Sequence, residues 1–295
     1  IVNRRVIEAL VRAGAFDTLH PNRNATLMSV GLAMEWAETQ HSNAAQDSLF
    51  GDAAMTAPPP LVAVPAWDLR EQLTQEKVAL GFYLSGHPFE ADRPALKGLV
   101  DKTLKDIKPT PGQQLMAGVV SAIRTQMTRR GKMAFVTLDD GEAQVDVAVF
   151  NEAFDAHRQR IKEDALLIIA GKASHDDYSG GMRVTADDIL DLESARTRFA
   201  TQLRVTLHDN LTATDADRLM HALSPFRVPN GGGCPVSLAY RNATAECDVM
   251  LGPGWKVRLA DDLFSILTAF GEVKAAYSVV LKSARERGDR ERVAA

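Results

Sequence analysis

Apolar residues recur at helical spacing at the start of the chain. Over residues 2–13 they fall on one face of a helix, and charged residues fall largely on the other. Gly14 and a short turn follow, and a second helix is predicted from about residue 23 to residue 40. The sequence therefore predicts a helical hairpin over residues 1–40.

Regular patterning stops between residues 41 and 68. This stretch is rich in alanine and contains Pro58-Pro59-Pro60, so we expect an extended linker. Helical spacing returns at residue 69, and a helix is predicted to run to about residue 84 and to end at the turn Gly86-His87-Pro88. Residues 69–111 are therefore interpreted as a helical connector.

Alternating, β-branched segments begin near residue 112. Three strands, one helix and two further strands are predicted within about eighty residues, which is the chain order of a small oligonucleotide/oligosaccharide-binding (OB) barrel. Asp139-Asp140-Gly141 is a strong hairpin signal between the second and third strands. A five-stranded OB-fold β-barrel is expected over residues 112–195, with strands at 115–123, 132–139, 142–150, 165–174 and 181–190 and a helix at 152–161.

A small α+β domain is predicted over residues 196–280. Thr214 is expected to cap a helix, and the residues after 280 mix charged and small side chains in a frayed tail, 281–295. The predicted fold class is thus multidomain α+β. Its last domain is expected to have strands near 202–208, 235–241, 244–250, 255–259 and 273–280, with helices over 215–223 and 261–270.

Composition narrows the class of protein. The 295 residues carry 34 Lys and Arg against 38 Asp and Glu, a net charge of −4, which argues against a surface that coats nucleic acid throughout. No apolar run approaches the ~18 residues of a membrane span, and the N-terminus lacks signal-peptide architecture. Cys234 and Cys247 fit neither a disulfide framework nor a CxxC zinc site. We expect a cytoplasmic, metal-free chain without membrane partners, and the first residue, Ile1, suggests a piece of a longer protein.

The predicted linker contains a short peptide with the features of a ligand. In Gln46-Asp47-Ser48-Leu49-Phe50, the Leu and Phe can enter an apolar pocket while the Gln amide hydrogen-bonds at its rim. The alternative is that Leu49 and Phe50 pack back onto the neighbouring helices.

The helical hairpin is net positive and resembles a helix-hairpin-helix element. In such elements, backbone N–H groups around a glycine turn bind phosphate without reading sequence. Arg4, Arg5, Arg12 and Gly14 are therefore candidate DNA contacts. The turn has one glycine where such hairpins usually have two, and a hairpin that serves packing alone stays an open alternative.

The predicted barrel has an uneven charge distribution. Arg124, Arg129, Arg130 and Lys132 lie in a stretch, 112–138, that has no acidic residue. The loop from residue 125 to residue 131 is predicted to be a basic finger where OB folds grip single strands. Tyr178 is the stacking candidate in the other loop expected at the groove. A purely structural barrel is the alternative.

No catalytic constellation was found in the sequence. Asp139-Asp140 lies in a hairpin turn without a third carboxylate at suitable spacing, and the triple glycine at 231–233 lacks the Lys and Ser/Thr of a phosphate-binding loop. We expect neither catalytic residues nor a metal or cofactor in this segment.

Several motifs carry a resemblance to a known family, the bacterial replicative DNA polymerase III alpha subunit, in its C-terminal third. The most specific is Leu80-Gly81-Phe82-Tyr83-Leu84-Ser85-Gly86-His87-Pro88. The others are Arg4-Arg5-Val6-Ile7-Glu8-Ala9-Leu10, Ala13-Gly14-Ala15-Phe16-Asp17, Gln46 to Phe50, Arg129 to Lys132, Thr137 to Asp140 and Asp176 to Gly181, in the same order as in that family.

The resemblance implies a non-catalytic part of an enzyme. It implies that the hairpin contacts duplex DNA, that Gln46 to Phe50 dock in the sliding clamp, that the OB domain lies near the single-stranded template, and that the last domain binds the tau subunit of the clamp loader. The Mg²⁺-binding aspartates of nucleotidyl transfer would lie upstream. The alternative hypotheses are a stand-alone OB-fold single-stranded nucleic-acid-binding protein and a chain with polymerase activity of its own.

Overall fold

A computed structural model describes residues 3–45, 57–129, 131–175, 182–208, 212–228, 232–241, 246–279 and 281. The chain divides into an N-terminal unit, residues 1–91, and a C-terminal unit, residues 92–295. The barrel and the small α+β domain expected from the sequence both lie in the C-terminal unit.

The N-terminal unit begins with the predicted pair of helices. Helix α1 spans Arg4–Arg12, and its first turn is capped by Asn3, whose Oδ1 accepts a hydrogen bond from the N–H of Val6 at 3.0 Å. Helix α2 spans Arg23–Ala45 and continues five residues beyond the predicted end. The structure thus confirms the helical hairpin.

The described part of the predicted linker is attached to helix α2. The N–H of Val62 donates to Ser29 Oγ at 2.8 Å, and the Nδ2 atoms of Asn22 and Asn24 donate to the carbonyls of Val64 and Pro65, each at 2.8 Å. Residues 57–68 form neither helix nor strand, as predicted. These bonds attach the extended segment to the N-terminal unit, because polar side chains within α2 and just before it bind the backbone of this segment.

The third helix ends earlier than predicted. Helix α3 spans Leu69–Leu80 and stops at Gly81, which has a φ of +82° and the left-handed conformation that glycine adopts without strain. The predicted end near residue 84 is therefore wrong, because the glycine cap comes first. Helix α4, Pro88–Leu96, follows within the connector.

The five barrel strands were predicted in the right order. They close into a barrel in the order β1-β2-β3-β5-β4, with antiparallel pairs except for the parallel pair β3–β5. Aliphatic side chains that point inward form the barrel core. The elements are β1 Gln114–Thr128, β2 Gly131–Asp139, β3 Gln144–Val149, α5 Asn151–His157, β4 Leu166–His175 and β5 Met182–Leu190.

The acidic pair of the β2–β3 turn includes a structural residue. Asp140 is buried, and its carboxylate accepts hydrogen bonds from the backbone N–H groups of Leu104 at 2.7 Å, Glu142 at 3.0 Å and Ala143 at 2.8 Å. The carboxylate of Asp140 therefore holds the hairpin turn and the connector together.

A four-stranded sheet in the order β8-β7-β6-β9 forms the rest of the C-terminal unit. Helices α7 and α8 contribute Leu219, Leu223, Leu263 and Leu267 to a core shared with the inner face of this sheet. The elements are α6 Leu192–Phe199, β6 Ala200–Leu207, α7 Ala213–Leu223, β7 Val236–Arg241, β8 Glu246–Met250, α8 Asp261–Leu267 and β9 Gly271–Tyr277.

Two predictions for this domain are wrong, and one of its helices was not predicted. Helix α6 was not predicted; Asp191 caps it by accepting a hydrogen bond from Ser194 N–H at 2.7 Å. Helix α7 begins after Thr212 rather than Thr214, because Thr212 and Asp215 form a reciprocal capping box. Residues 255–259 form no strand, although Val257 makes isolated bridges to Arg227 and Cys234.

Over the described residues, no helix is long and apolar enough to span a bilayer.

Candidate nucleic-acid interface

The strand register aligns five outward-facing residues across the barrel. Arg124 of β1 lies opposite Phe135 of β2, and Phe135 lies opposite Ala148 of β3. Ala148 is paired with Thr185 of β5, and Thr185 with Lys172 of β4. Because directly paired residues project from the same face of a sheet, these residues lie on the outside of the barrel, in a row that runs around it from Arg124 to Lys172. Phe135 is half-buried beside Arg124, and Ala148 in the middle of the row is buried.

An acidic residue lies beside this row. Arg124 Nη2 is 2.9 Å from Asp146 Oδ2, and the hydroxyl of Thr137 donates to Asp146 Oδ1 at 2.6 Å. Thr137 and Asp146 are direct partners in the β2–β3 register, next to the row. The guanidinium of Arg124, predicted as a DNA contact, therefore already has a carboxylate partner.

The predicted basic finger is a hairpin rather than a loop. Thr125 to Thr128 belong to strand β1 and pair with β2 as far as Thr128 opposite Gly131, so the expected 125–131 loop is wrong. Lys132 has the strand parity of the inward-facing Ala134, and its Nζ lies 5.5 Å from the ring centroid of Phe154.

Arg124 and Lys132 therefore project from opposite faces of the hairpin. Arg129 is exposed at the turn. Arg130 and Tyr178 lie outside the described residues. The DNA-binding roles of Arg129, Arg130 and Tyr178 therefore stay predictions.

The glycine turn of the helical hairpin uses its backbone donors internally. The N–H of Gly14 donates to the carbonyl of Val11, and that of Ala15 donates to the carbonyl of Leu10, each at 3.0 Å. A Cβ atom at Gly14 would lie 2.3 Å from Arg23 Nη2, so the space beside the turn is already filled. This geometry does not favour phosphate contact through the Gly14 N–H.

Two of the predicted arginines of helix α1 have partners within the N-terminal unit. Arg4 Nε is 2.7 Å from Glu8 Oε1, and Arg12 Nε donates to Gln75 Oε1 at 2.9 Å. Arg5 is exposed. Of the three, Arg5 is therefore the cation left most available for a DNA phosphate.

A buried carboxylate organises the N-terminal unit, and sequence analysis missed it. Glu76 has no exposed surface, and its Oε1 lies 2.7 Å from Arg23 Nη1. Its Oε2 accepts hydrogen bonds from the N–H groups of Leu84 and Ser85, each at 2.8 Å, and its Oε1 accepts one from the Ser85 hydroxyl. Arg23 also pairs with Asp17 at 2.7 Å.

Burial favours the neutral acid, but the hydrogen bonds from Ser85, Arg23 and Leu84 outweigh it and lower the pKa of Glu76 to about 2. Glu76 therefore stays ionised inside the fold. It also explains part of the Leu80 to Pro88 motif, because that segment wraps around the carboxylate.

Phe135 is a further candidate that sequence analysis missed. It is half-buried on strand β2, between the inward-facing Ala134 and Val136. The sequence carries no clear signal for its face, because Phe135 lies within the apolar run 133–136 and does not alternate with polar residues. An aromatic ring there can serve as a platform on which an unpaired base stacks.

The clamp-motif residues Gln46 to Phe50 lie outside the described residues, so their assignment stays a prediction.

Within the described ranges, no group of three or more His, Cys, Asp or Glu side chains is arranged to hold a metal ion.

Comparison with known families defines the class of the C-terminal unit. Residues 115–192 match the OB-fold nucleic acid binding domain family, and residues 218–270 match the family described as the C-terminal domain of DNA polymerase III subunit alpha. The C-terminal unit thus contains one segment similar to each of these two families.

Over 90% of its length, the chain is similar to DNA polymerase III alpha subunits, in their C-terminal part. That subunit from Neisseria meningitidis serogroup A is 37% identical over 270 residues, covering 90% of this chain and 23% of that protein. The subunits from Pseudomonas aeruginosa and Escherichia coli K12 are each 34% identical, covering 90% of this chain and 24% of each protein. The chain therefore spans about a quarter of the length of these relatives.

Proposed function

We propose that this chain is the non-catalytic C-terminal part of a replicative DNA polymerase III alpha subunit, which tethers the polymerase to its partners and to DNA. The observation that carries the proposal is the similarity to that subunit over 90% of the chain. A tether makes rebinding of the polymerase to DNA effectively intramolecular, which lengthens its residence without a large interface.

The barrel contributes a contact with single-stranded DNA. The support is the row from Arg124 through Phe135 to Lys172, which combines cations for phosphates with a ring for base stacking. Duplex contact by the helical hairpin rests on Arg5 more than on Gly14.

We expect Phe135→Ala to weaken binding of the chain to a short single-stranded oligonucleotide by about 5- to 150-fold, because stacking on an aromatic side chain is worth about 1–3 kcal/mol per base. Fluorescence anisotropy at low salt measures the change. Phe82→Ala, which removes an exposed phenylalanine of the N-terminal unit, is the matched control and should leave the affinity unchanged. Equal affinity of Phe135→Ala and the unmodified chain would exclude the ring as a stacking platform.

Clamp docking is assigned to Gln46, Asp47, Ser48, Leu49 and Phe50, and tau binding to the small α+β domain. The support for tau is the family match over residues 218–270, the domain that in this family was expected to carry that contact. No Mg²⁺ site is assigned to this chain, since the resemblance places the metal-binding aspartates in the upstream polymerase domain of the family.

Gly271→Ala should separate tau binding from clamp binding. A Cβ atom at residue 271 would lie 2.0 Å from the carbonyl oxygen of Thr206, so alanine forces strands β6 and β9 apart and disrupts this domain. We expect the domain to lose about 1–3 kcal/mol of stability, the typical cost of overpacking, and its affinity for tau to fall because the sheet is deformed, with unchanged affinity for the clamp.

Calorimetric titration with each purified partner measures both affinities. Gly252→Ala is the control, because its Cβ atom would meet nothing within 4 Å. Tau affinity that survives while hydrogen exchange shows β6 and β9 separated would place the tau contact elsewhere.

A stand-alone single-stranded nucleic-acid-binding protein is the second candidate, favoured by the OB-fold match alone. It predicts tight, strongly salt-dependent strand binding that disappears when Arg124, Arg129, Arg130 and Lys132 are neutralised, with no affinity for a clamp. Clamp binding combined with weak strand binding would exclude it.

A further inference from the structure

The ion pair between Arg124 and Asp146 on the outside of the barrel opposes the binding of a DNA phosphate to Arg124. The side chains of Arg124 and Asp146 are 68% and 50% exposed, so water screens their attraction and the pair adds little to stability. Thr137 nevertheless fixes the carboxylate by its 2.6 Å hydrogen bond, and the carboxylate in turn fixes the guanidinium at 2.9 Å. A well-defined but weakly stabilising contact thus occupies the cation at one end of the row.

A DNA phosphate that approaches the row must compete with this carboxylate. It has to displace the Asp146 oxygen from Arg124 or bind with both anions beside the same guanidinium, and the two negative charges repel each other. The other end of the row, Lys172, lies on β4, which pairs with β1 over Gln114–Val119 and not at Arg124, so Lys172 does not relieve that repulsion.

We propose that Asp146 limits the affinity of the barrel for single-stranded DNA by occupying Arg124, with Thr137 holding the carboxylate in place. The inference rests on the proposed contact of the barrel with single strands and assigns the residue that sets its strength. Asp146 is a positioning residue, since it acts through Arg124. A weak contact allows the template to be released at each step of synthesis while the clamp keeps the polymerase attached.

Asp146→Asn tests the proposal with little structural change. The asparagine carbonyl can still accept the hydrogen bond from Thr137, while the charge that holds Arg124 is gone. We expect the affinity for an oligothymidylate to rise about three- to tenfold at low salt, and the slope of log K against log salt to steepen by about 0.7, the value for one additional phosphate contact on a single strand. Fluorescence anisotropy over a salt series measures both quantities.

Two control variants separate this mechanism from a general charge effect. Glu152→Gln removes one exposed negative charge from helix α5 and should change neither affinity nor slope by a comparable amount. Arg124→Ala combined with Asp146→Asn should abolish the gain, because the freed cation is then absent.

The outcomes also distinguish this inference from the proposed function of the barrel. Measurable binding by the unmodified chain with no gain in Asp146→Asn, or an equal gain in Glu152→Gln, overturns the role of Asp146 and leaves strand binding intact. If neither the unmodified chain nor Asp146→Asn binds the oligonucleotide, the contact of the barrel with single strands is itself wrong, and the inference falls with it.

Discussion

Replacing Leu49 and Phe50 together by alanine is expected to lower the affinity of this chain for a bacterial sliding clamp by about 100-fold or more, because buried anchor residues of an interface each contribute about 2 kcal/mol or more. Both side chains belong to a peptide that begins at Gln46, directly after helix α2 ends at Ala45. Calorimetric titration of the chain into purified clamp measures the loss, and binding of single-stranded DNA should be unaffected.

The same residue types removed elsewhere provide the matched control. Leu84 and Phe82 are 59% and 56% exposed in the N-terminal unit. The double variant Phe82→Ala, Leu84→Ala should therefore keep its full affinity for the clamp. Unchanged affinity in the Leu49, Phe50 variant would refute the clamp assignment, and an equal loss in both variants would show that exposed apolar surface in general binds the clamp.

The barrel was predictable because its signal is local. Alternation along 132–139 and 142–150 reports which face of each strand is buried, and the Asp140-Gly141 turn joins those strands. The order of five strands and one helix along the chain is then compatible with only a few sheet topologies. What the pattern could not show was how far β1 and β2 continue to pair, and that length converts the expected basic loop into a hairpin with cations on two faces.

Charged residues that are buried in the fold could not be identified from the sequence. Helical spacing places Glu76 on the same face as Leu73, but it does not show that the carboxylate is buried together with Arg23. Arg196 in the unpredicted helix α6 is a similar case: it is buried, pairs with Asp261 at 2.5 Å and lies over the ring of Phe264. Such side chains find their partners 53 or 65 residues away, so no local window contains the signal.

The buried carboxylate of Glu76 should make the stability of the N-terminal unit dependent on pH. Its pKa is about 2 in the folded protein against an ordinary value of 4.5. A lowered pKa means that the ionised form stabilises the fold, so this contribution is complete above pH 4.5 and is lost as the pH falls toward 2.

We expect Glu76→Gln to lower the free energy of unfolding of the N-terminal unit at pH 7 by about 2–4 kcal/mol, since removing one partner of a buried ion pair typically costs about 3–5 kcal/mol and Asp17 still pairs with Arg23. Urea unfolding followed by the fluorescence of Trp36 and Trp67, in a Trp255→Phe background, measures this unit alone. The variant should also lose stability less steeply between pH 5 and pH 3 than its parent.

Glu8→Gln, which breaks the exposed pair with Arg4, should cost no more than about 0.5 kcal/mol. Equal effects of the two substitutions would mean that burial of Glu76 contributes nothing to this unit, and that the Leu84-Ser85 segment is held by its packing alone.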